Sequence, residues 1–345
     1  MEKLTVKRTR RALIFLVALI FLATTIGLAQ AGTFQIQPKG KKKIKIGVMD
    51  LISSIEVSAN TCKWYRHWAK EKGWELQVFD LGFDLAKAQS VMDNMITAGY
   101  DGIIVNWVDF RNYDQQIMKA YKKGIPVQGI ACGNMVPGVV SHGIAPDMVN
   151  GSMSATYLAS KLRTGDKILV YYDPSEHHVA QLNAAKVVFD AFKIKIVQEL
   201  MYKGTGDPSQ VCYEMMKNAI LADTQKEIKG VLTLWEGYGI PTARAALELG
   251  RKDIVVMTID ASQGFYQEMR NLPNLLGSSD GNYDTPNWSR KLFENFDIIF
   301  AGKPFEDQEI WFSVPVLITK DNLPPPGYYY NPSGYKGRPQ DFKVK

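Results

Sequence analysis

From residue 44 to about residue 320, two kinds of hydrophobic pattern alternate along the chain. Short, nearly unbroken apolar runs include IKIGVM, the GIIV of YDGIIVN, IPVQGI, KILVYY, VLTL and DIVVMTI. Such runs predict strands of a parallel sheet covered on both faces. Between them, apolar residues recur every three or four positions. Leu85, Ala88, Met92, Met95 and Ile96 form one such face, which predicts an amphipathic helix. Helix ends carry local signals: Gly73, Gly99 and Gly124 are stops, Lys122 and Lys123 suit a last turn, and Ser53 and Ser54 are candidate caps. Strand and helix alternate at about thirty-residue spacing, the signature of a doubly wound α/β sheet.

The rhythm breaks at VVSHGIAPDMV, where Pro146 and Asp147 separate a short strand from a new helix. This predicts a crossover from one lobe to another. The strand–helix pattern then repeats through DKILVYY, EHHVAQLNAAKVVFDAF, IKIVQEL, PSQVCYEMMKNAILA, KGVLTLW and DIVVMTID to Asp280. A helix, TPNWSRKLFENFDIIFAG, and a strand broken by Pro315, IWFSVPVLIT, follow. The tail from Asp321 is rich in Pro, Gly and Tyr and reads as irregular surface structure. In α/β sheets of this kind ligands sit beyond the carboxyl ends of the strands, where Asn106 and Trp107 fall.

Length and charge refine this picture. The 345 residues suffice for two cores. Of the formal charge of +6, residues 1–31 carry +4, and the remaining +2 is no footprint for nucleic acid. Within that segment a basic stretch ending at Arg11 precedes ALIFLVALIFLATTIGLA, and Ala29-Gln30-Ala31 supplies a small-x-small cleavage site. Residues 1–31 are therefore expected to be a cleaved secretory signal peptide, with a retained membrane anchor as the alternative. Cys62, Cys132 and Cys212 form no framework, and buried free thiols are expected over a single bridge. His177-His178 lacks metal-ligand spacing. Neither a G-x-S-x-G elbow nor a G-x-G-x-x-G fingerprint is present, so no enzyme, cofactor or metal site is expected.

IKIGVMD, YDGIIVNWVD, KGIPVQGI, VVSHGIAPDMVNGSMSATYLA and VVMTIDAS, in this order and spacing, resemble the type I periplasmic substrate-binding proteins of ABC transporters, in the ribose-binding-protein-like branch. The resemblance covers residues 44 to about 320. It implies two doubly wound parallel-sheet lobes joined by three crossover segments, near Gly143 to Asp147, Asp280 to Asn282 and Val314 to Val316. The N-terminal lobe would comprise residues 44–145 and 282–313. The C-terminal lobe and tail would comprise 146–281 and 315–345.

The resemblance also implies a secreted, monomeric, periplasmic protein. It would capture a small polar ligand (a sugar, polyol or sugar-like compound) by hinge closure and deliver it to a membrane permease. The alternative is a sensing module for a chemoreceptor or sensor kinase. The implied ligand positions are Asp50, Ser53, Ser54, Glu56, Asn106, Trp107, Cys132, Asn183, Trp235, Glu236, Asp260, Asp280 and Asn282. Carboxylates and amides would bond vicinal hydroxyls, and aromatic faces would cover C–H surface. Sugar binders of this family usually carry Asp-Arg where this chain has Ala131-Cys132, Arg at Asn183, Asn-Asp at Trp235-Glu236, and aromatic residues at Glu56-Val57. These departures point to a ligand less hydroxylated or more apolar than a plain aldose. Each position also has a plainer role: Asp260 could cap the helix that follows it, Asn106 could bond its own loop, and Trp235 could belong to the core.

Overall fold

The computed structural model describes residues 32–40, 43–144, 146–281 and 284–330. In chain order the elements are β1 (Thr33–Phe34), β2 (Lys45–Asp50), α1 (Glu56–Glu71), β3 (Glu75–Asp80), α2 (Ala88–Thr97), β4 (Gly102–Asn106), α3 (Asp114–Lys122), β5 (Val127–Ile130) and β6 (Val139–Ile144). There follow α4 (Asp147–Ser160), β7 (Lys167–Tyr172), α5 (Glu176–Ala191), β8 (Lys195–Met201), α6 (Pro208–Ala222), β9 (Ile228–Thr233), α7 (Glu236–Glu248), β10 (Val255–Ile259), α8 (Gln263–Asn271) and β11 (Leu275–Asp280). Last come α9 (Thr285–Phe300), β12 (Phe305–Glu306), β13 (Glu309–Phe312) and β14 (Val316–Thr319).

Two six-stranded sheets result. The first has the order β13-β6-β5-β4-β2-β3 with all pairings parallel. The second has the order β14-β11-β10-β9-β7-β8, parallel except for the antiparallel edge strand β14. In each, the first strand has its successor on one side and the rest of the sheet on the other. That places a topological switch point beside Asp50 and beside Tyr172.

Each sheet is buried on both faces, as its apolar runs require. In the N-terminal lobe Val48, Ile104 and Ile130 pack against Leu292, Phe293 and Phe296 of α9. Met49 and Val105 pack on the opposite face with Met95 and Phe110. In the C-terminal lobe Val231 and Val256 meet Met216 and Phe265, while Leu232 and Met257 meet Leu158 and Phe189. Each such fully buried side chain contributes about 1.5–3 kcal/mol. The chain passes between sheets three times: after β6, after β11, and between β13 and β14. IWFSVPVLIT, expected as one interrupted strand, therefore gives a strand to each sheet, divided at Pro315.

Helix α1 corrects another expectation. Ser53 and Ser54 do not cap it; the N-cap is Ile55, in extended conformation and without a side-chain cap bond. Among the described residues the three cysteines are buried and unbridged, and no helix is long and apolar enough to cross a membrane.

Candidate ligand-binding cleft

At the carboxyl end of the first sheet, β2 and β4 bring Asp50 and Asn106 side by side. Both are fully buried. Asp50 accepts hydrogen bonds from Ser53 Oγ (2.6 Å), Ser58 Oγ (2.6 Å) and Asn106 Nδ2 (2.6 Å). Asn106 Oδ1 accepts from the Tyr65 hydroxyl at 3.2 Å. A buried carboxylate with three donors is well compensated, so this network holds the strand ends and the start of α1 together.

The second sheet ends differently. At or just past the carboxyl ends of β9, β10 and β11 stand Glu236, Asp260 and Asp280. Glu236 is 7% exposed, and among the described residues its Oε2 has no hydrogen-bond partner. Burial, then the negative charge of Asp260, Asp280 and Glu56, pushes the Glu236 carboxyl well above the usual range. Burial likewise pushes Asp260 up to about 7, with Asp147 adding to the rise and His178 and His177 opposing it. Asp260 does not cap the following helix; Ser262 does, accepting from Phe265 N at 3.2 Å.

Three contacts cross from lobe to lobe here. Glu56, on the first turn of α1, accepts from Gln263 N (2.6 Å) and Gly264 N (3.4 Å) at the start of α8, and from the Tyr329 hydroxyl (2.7 Å). A carboxylate at a helix N-terminus meets free N–H groups and the positive end of the dipole. His177 on α5 lies 3.2 Å from the Ala131 carbonyl and 2.7 Å from Asp147 Oδ2. Burial alone would lower His177, but the Asp147 carboxylate and the Ala131 carbonyl bring it up to about 9, so it is a cation at neutral pH. At the rim, Arg111 forms an ion pair with Glu176.

The backbone is strained in the same region. Trp107 (φ 66°), Ala131 (φ 51°) and Asp260 (φ 64°) directly follow β4, β5 and β10 in the left-handed region. Each costs on the order of 1 kcal/mol, strain that collects where side chains are held for a purpose. Trp107 is half-buried, its ring 6.4 Å from that of Trp288, and its Nε1 has no partner among the described residues. Among the described residues Gln181 Oε1 and Gln263 Nε2 are also without a partner. Gln181 is fixed by its bond to Asp147 (3.0 Å) and by the close crossing of α4 and α5. At Gly151 a Cβ would stand 2.2 Å from the Gln181 carbonyl oxygen, so only glycine fits.

The sequence-predicted residues thus separate. Glu236 lies within electrostatic reach of Asp260, Asp280 and, from the other lobe, Glu56, while Trp107 follows β4 in the N-terminal lobe. Asp50, Ser53 and Asn106 bond one another or their own lobe, and Ser54 is exposed. Two expectations are corrected: Asn183 is exposed on the outer face of α5, and the Cys132 thiol turns into the N-terminal core, donating to the carbonyls of Ile130 and Val105. Trp235 stacks edge-on against Tyr238 (5.0 Å) at the border of the C-terminal core. Asn282 and residues 1–31 lie outside the described residues. Sequence reasoning missed His177, Gln181, Gln263 and Tyr329. The adjacent pair His177-His178 is the nearest signal, and its spacing speaks only to metal or catalytic roles.

The profile of the family described as "Periplasmic binding protein domain" matches residues 61–273. A xylitol-binding protein of Mycolicibacterium smegmatis is 24% identical over 283 residues, spanning 82% of this chain and 78% of that protein. Two solved structures share the fold: a Caulobacter myo-inositol binding protein bound to myo-inositol (TM-score 0.72, 18% identity, 84% of this chain and 97% of that one) and a 5-methylthioribose transporter solute-binding protein of Thermotoga lettingae in complex with 5-methylthioribose (TM-score 0.71, 19% identity, 83% and 89%). The chain belongs to the periplasmic binding protein family. It is a binding protein and not an enzyme.

Proposed function

We propose that this protein is the secreted solute-binding component of an ABC importer. It captures a small hydroxylated ligand between its lobes and passes it to a membrane permease. The observation that carries this reading is a set of buried polar atoms without a partner among the described residues, on segments that follow the strand ends of the two lobes: Glu236 Oε2, Trp107 Nε1, Gln181 Oε1 and Gln263 Nε2. Buried polar groups are normally satisfied, and each left unmade costs about 1–3 kcal/mol. A ligand bearing both donors and acceptors supplies what these four atoms lack. The named ligands of the relatives are polyols and a sugar derivative, which fits that requirement.

Closure is supported at the crossings. A Cβ on Gly281 would lie 3.1 Å from Pro146 Cδ and 3.3 Å from Ser313 Oγ, so the three connecting segments touch at one point. Hinges of this kind turn on a few residues at element ends. A ligand bonded to both lobes favours the closed arrangement by its differential affinity for it. A thermal-shift screen of sugars, polyols, sugar acids, nucleosides and aromatic small molecules tests the reading. Stabilisation grows as RT ln(1 + [L]/Kd), so a micromolar ligand at millimolar concentration shifts Tm clearly. No shift with any hydroxylated compound would overturn it.

A further inference from the structure

The ring of His177 stands between two acceptors. Its Nδ1 faces Asp147 Oδ2 at 2.7 Å, and its Nε2 faces the Ala131 carbonyl oxygen at 3.2 Å. A neutral imidazole has a single N–H, so either tautomer would turn a lone pair toward one of these oxygens. The imidazolium has two N–H groups and satisfies both. The two acceptors belong to different lobes. Asp147 opens α4 directly after the first crossing, and Ala131 follows β5 in the N-terminal lobe. Within the C-terminal lobe the ring is firmly seated. Asp147 Oδ1 accepts from Gln181 Nε2 at 3.0 Å, one turn along α5 from His177, and α4 and α5 cross at Gly151 with no room for a Cβ. A rigid group in one lobe thus holds the other by one bond.

We propose that His177 is a proton-dependent latch between the lobes: as the imidazolium it ties α5 to the Ala131 carbonyl, and loss of its proton releases the tie. This concerns how the unliganded lobes are held and is independent of which ligand binds. The surroundings favour the cation. Asp147 faces it from α4 and Asp260 from the end of β10, while His142 lies toward it on β6. Burial brings His142 down to about 4, so that ring adds no opposing charge at neutral pH. On α5 itself, His178 Nδ1 is 2.9 Å from Asp173 Oδ2, and Glu176 is paired with Arg111, which Asp109 also holds. An open arrangement would leave His177 its Asp147 partner but not the carbonyl, so the proton is held more firmly when closed. A group whose pKa is higher in the closed state favours that state at low pH, and the contribution is lost as pH rises through about 9. The other two ties do not titrate in that window. Glu56 accepts from backbone N–H groups and from Tyr329, whose hydroxyl burial pushes far above its usual range, and Asp109 and Glu176 push Arg111 up.

Solution scattering of the unliganded protein from about pH 7 to about pH 10, with imidazole nitrogen spectra of His177, tests the latch. At the lower value both ring nitrogens are expected to carry protons. The radius of gyration is expected to rise with a midpoint near 9, as the ratio of closed to open molecules falls about tenfold, the value of one charge-assisted hydrogen bond. His177→Phe keeps a planar ring without N–H groups; it is expected to show the larger radius throughout and no step. Asp147→Asn keeps an acceptor for Gln181 and is expected to lower the midpoint by about a unit or more, toward the ~6.5 of an unperturbed histidine. A merely structural His177 would leave that midpoint in place. A neutral ring at pH 7, a radius constant across the range, or a step that survives His177→Phe would overturn the inference. None of these outcomes bears on ligand capture, which the thermal-shift screen tests separately.

Discussion

The two lobes end their sheets with the same kind of residue and use it in opposite ways. In the N-terminal lobe Asp50 is buried under three donors supplied by its own lobe. In the C-terminal lobe Glu236 is buried with one oxygen unanswered among the described residues. Both acids stand near the carboxyl ends of parallel strands; what separates them is whether the polar atom is already spent. A strand-end acid in a doubly wound sheet therefore says where a ligand could bind. The tally of its partners says whether the lobe keeps it for itself.

The sharpest test of this contrast is on the N-terminal side. Asp50→Ala strands the buried donors of Ser58 and Asn106 and the half-buried Ser53, and is expected to cost about 3–5 kcal/mol in a denaturant titration. A loss under about 1 kcal/mol would show that Asp50 is not a structural keystone and would return it to the candidate site.

The C-terminal side should respond to pH. Asp260 titrates near 7 when folded, against about 3.9 for an unfolded aspartate. Between those values the folded state holds the extra proton, so this group's contribution falls as pH rises through the window. Asp260→Asn removes that slope. The unliganded variant is expected to gain on its parent by about 1–3 kcal/mol at pH 8 and to match it at pH 4. Equal stabilities at both values would remove the strain assigned to this carboxyl.

Smaller effects are expected at the bridge between the regions. Glu56→Gln weakens the cap on α8 and should cost the closed arrangement about 1 kcal/mol, read as a larger radius of gyration in solution scattering of the unliganded protein. Tyr329→Phe removes one hydrogen bond to the same carboxylate and should cost about half as much.

Most of the architecture was legible, because buried parallel strands must be continuously apolar and the helices between them must be amphipathic. Glu236 and Asp260 were legible as strand-end acids. The direction of Cys132 was not. Ala131 before it takes a left-handed conformation, which breaks the alternation of inward and outward side chains that a count along the strand assumes. The role of Asn106 was hidden because its partners Ser58 and Tyr65 lie on a helix whose rotation the sequence leaves open. Tyr329 was missed for a plainer reason: it meets Glu56 across 273 positions, from a stretch without regular structure.

The division of IWFSVPVLIT between two sheets also sets an order of assembly. Residues 44–144 cannot complete their lobe until α9 and β13 exist, because Leu292, Phe293 and Phe296 fill the space over Val48 and Ile104. The segment from 146 to 281 is continuous and lacks its edge strand β14 and the stretch after it, whose Leu323, Tyr329 and Tyr330 pack on its core. A chain emerging amino end first therefore finishes its later lobe almost at once, while the earlier one waits, partly uncovered, for the last strands. The lobe made first is the lobe closed last.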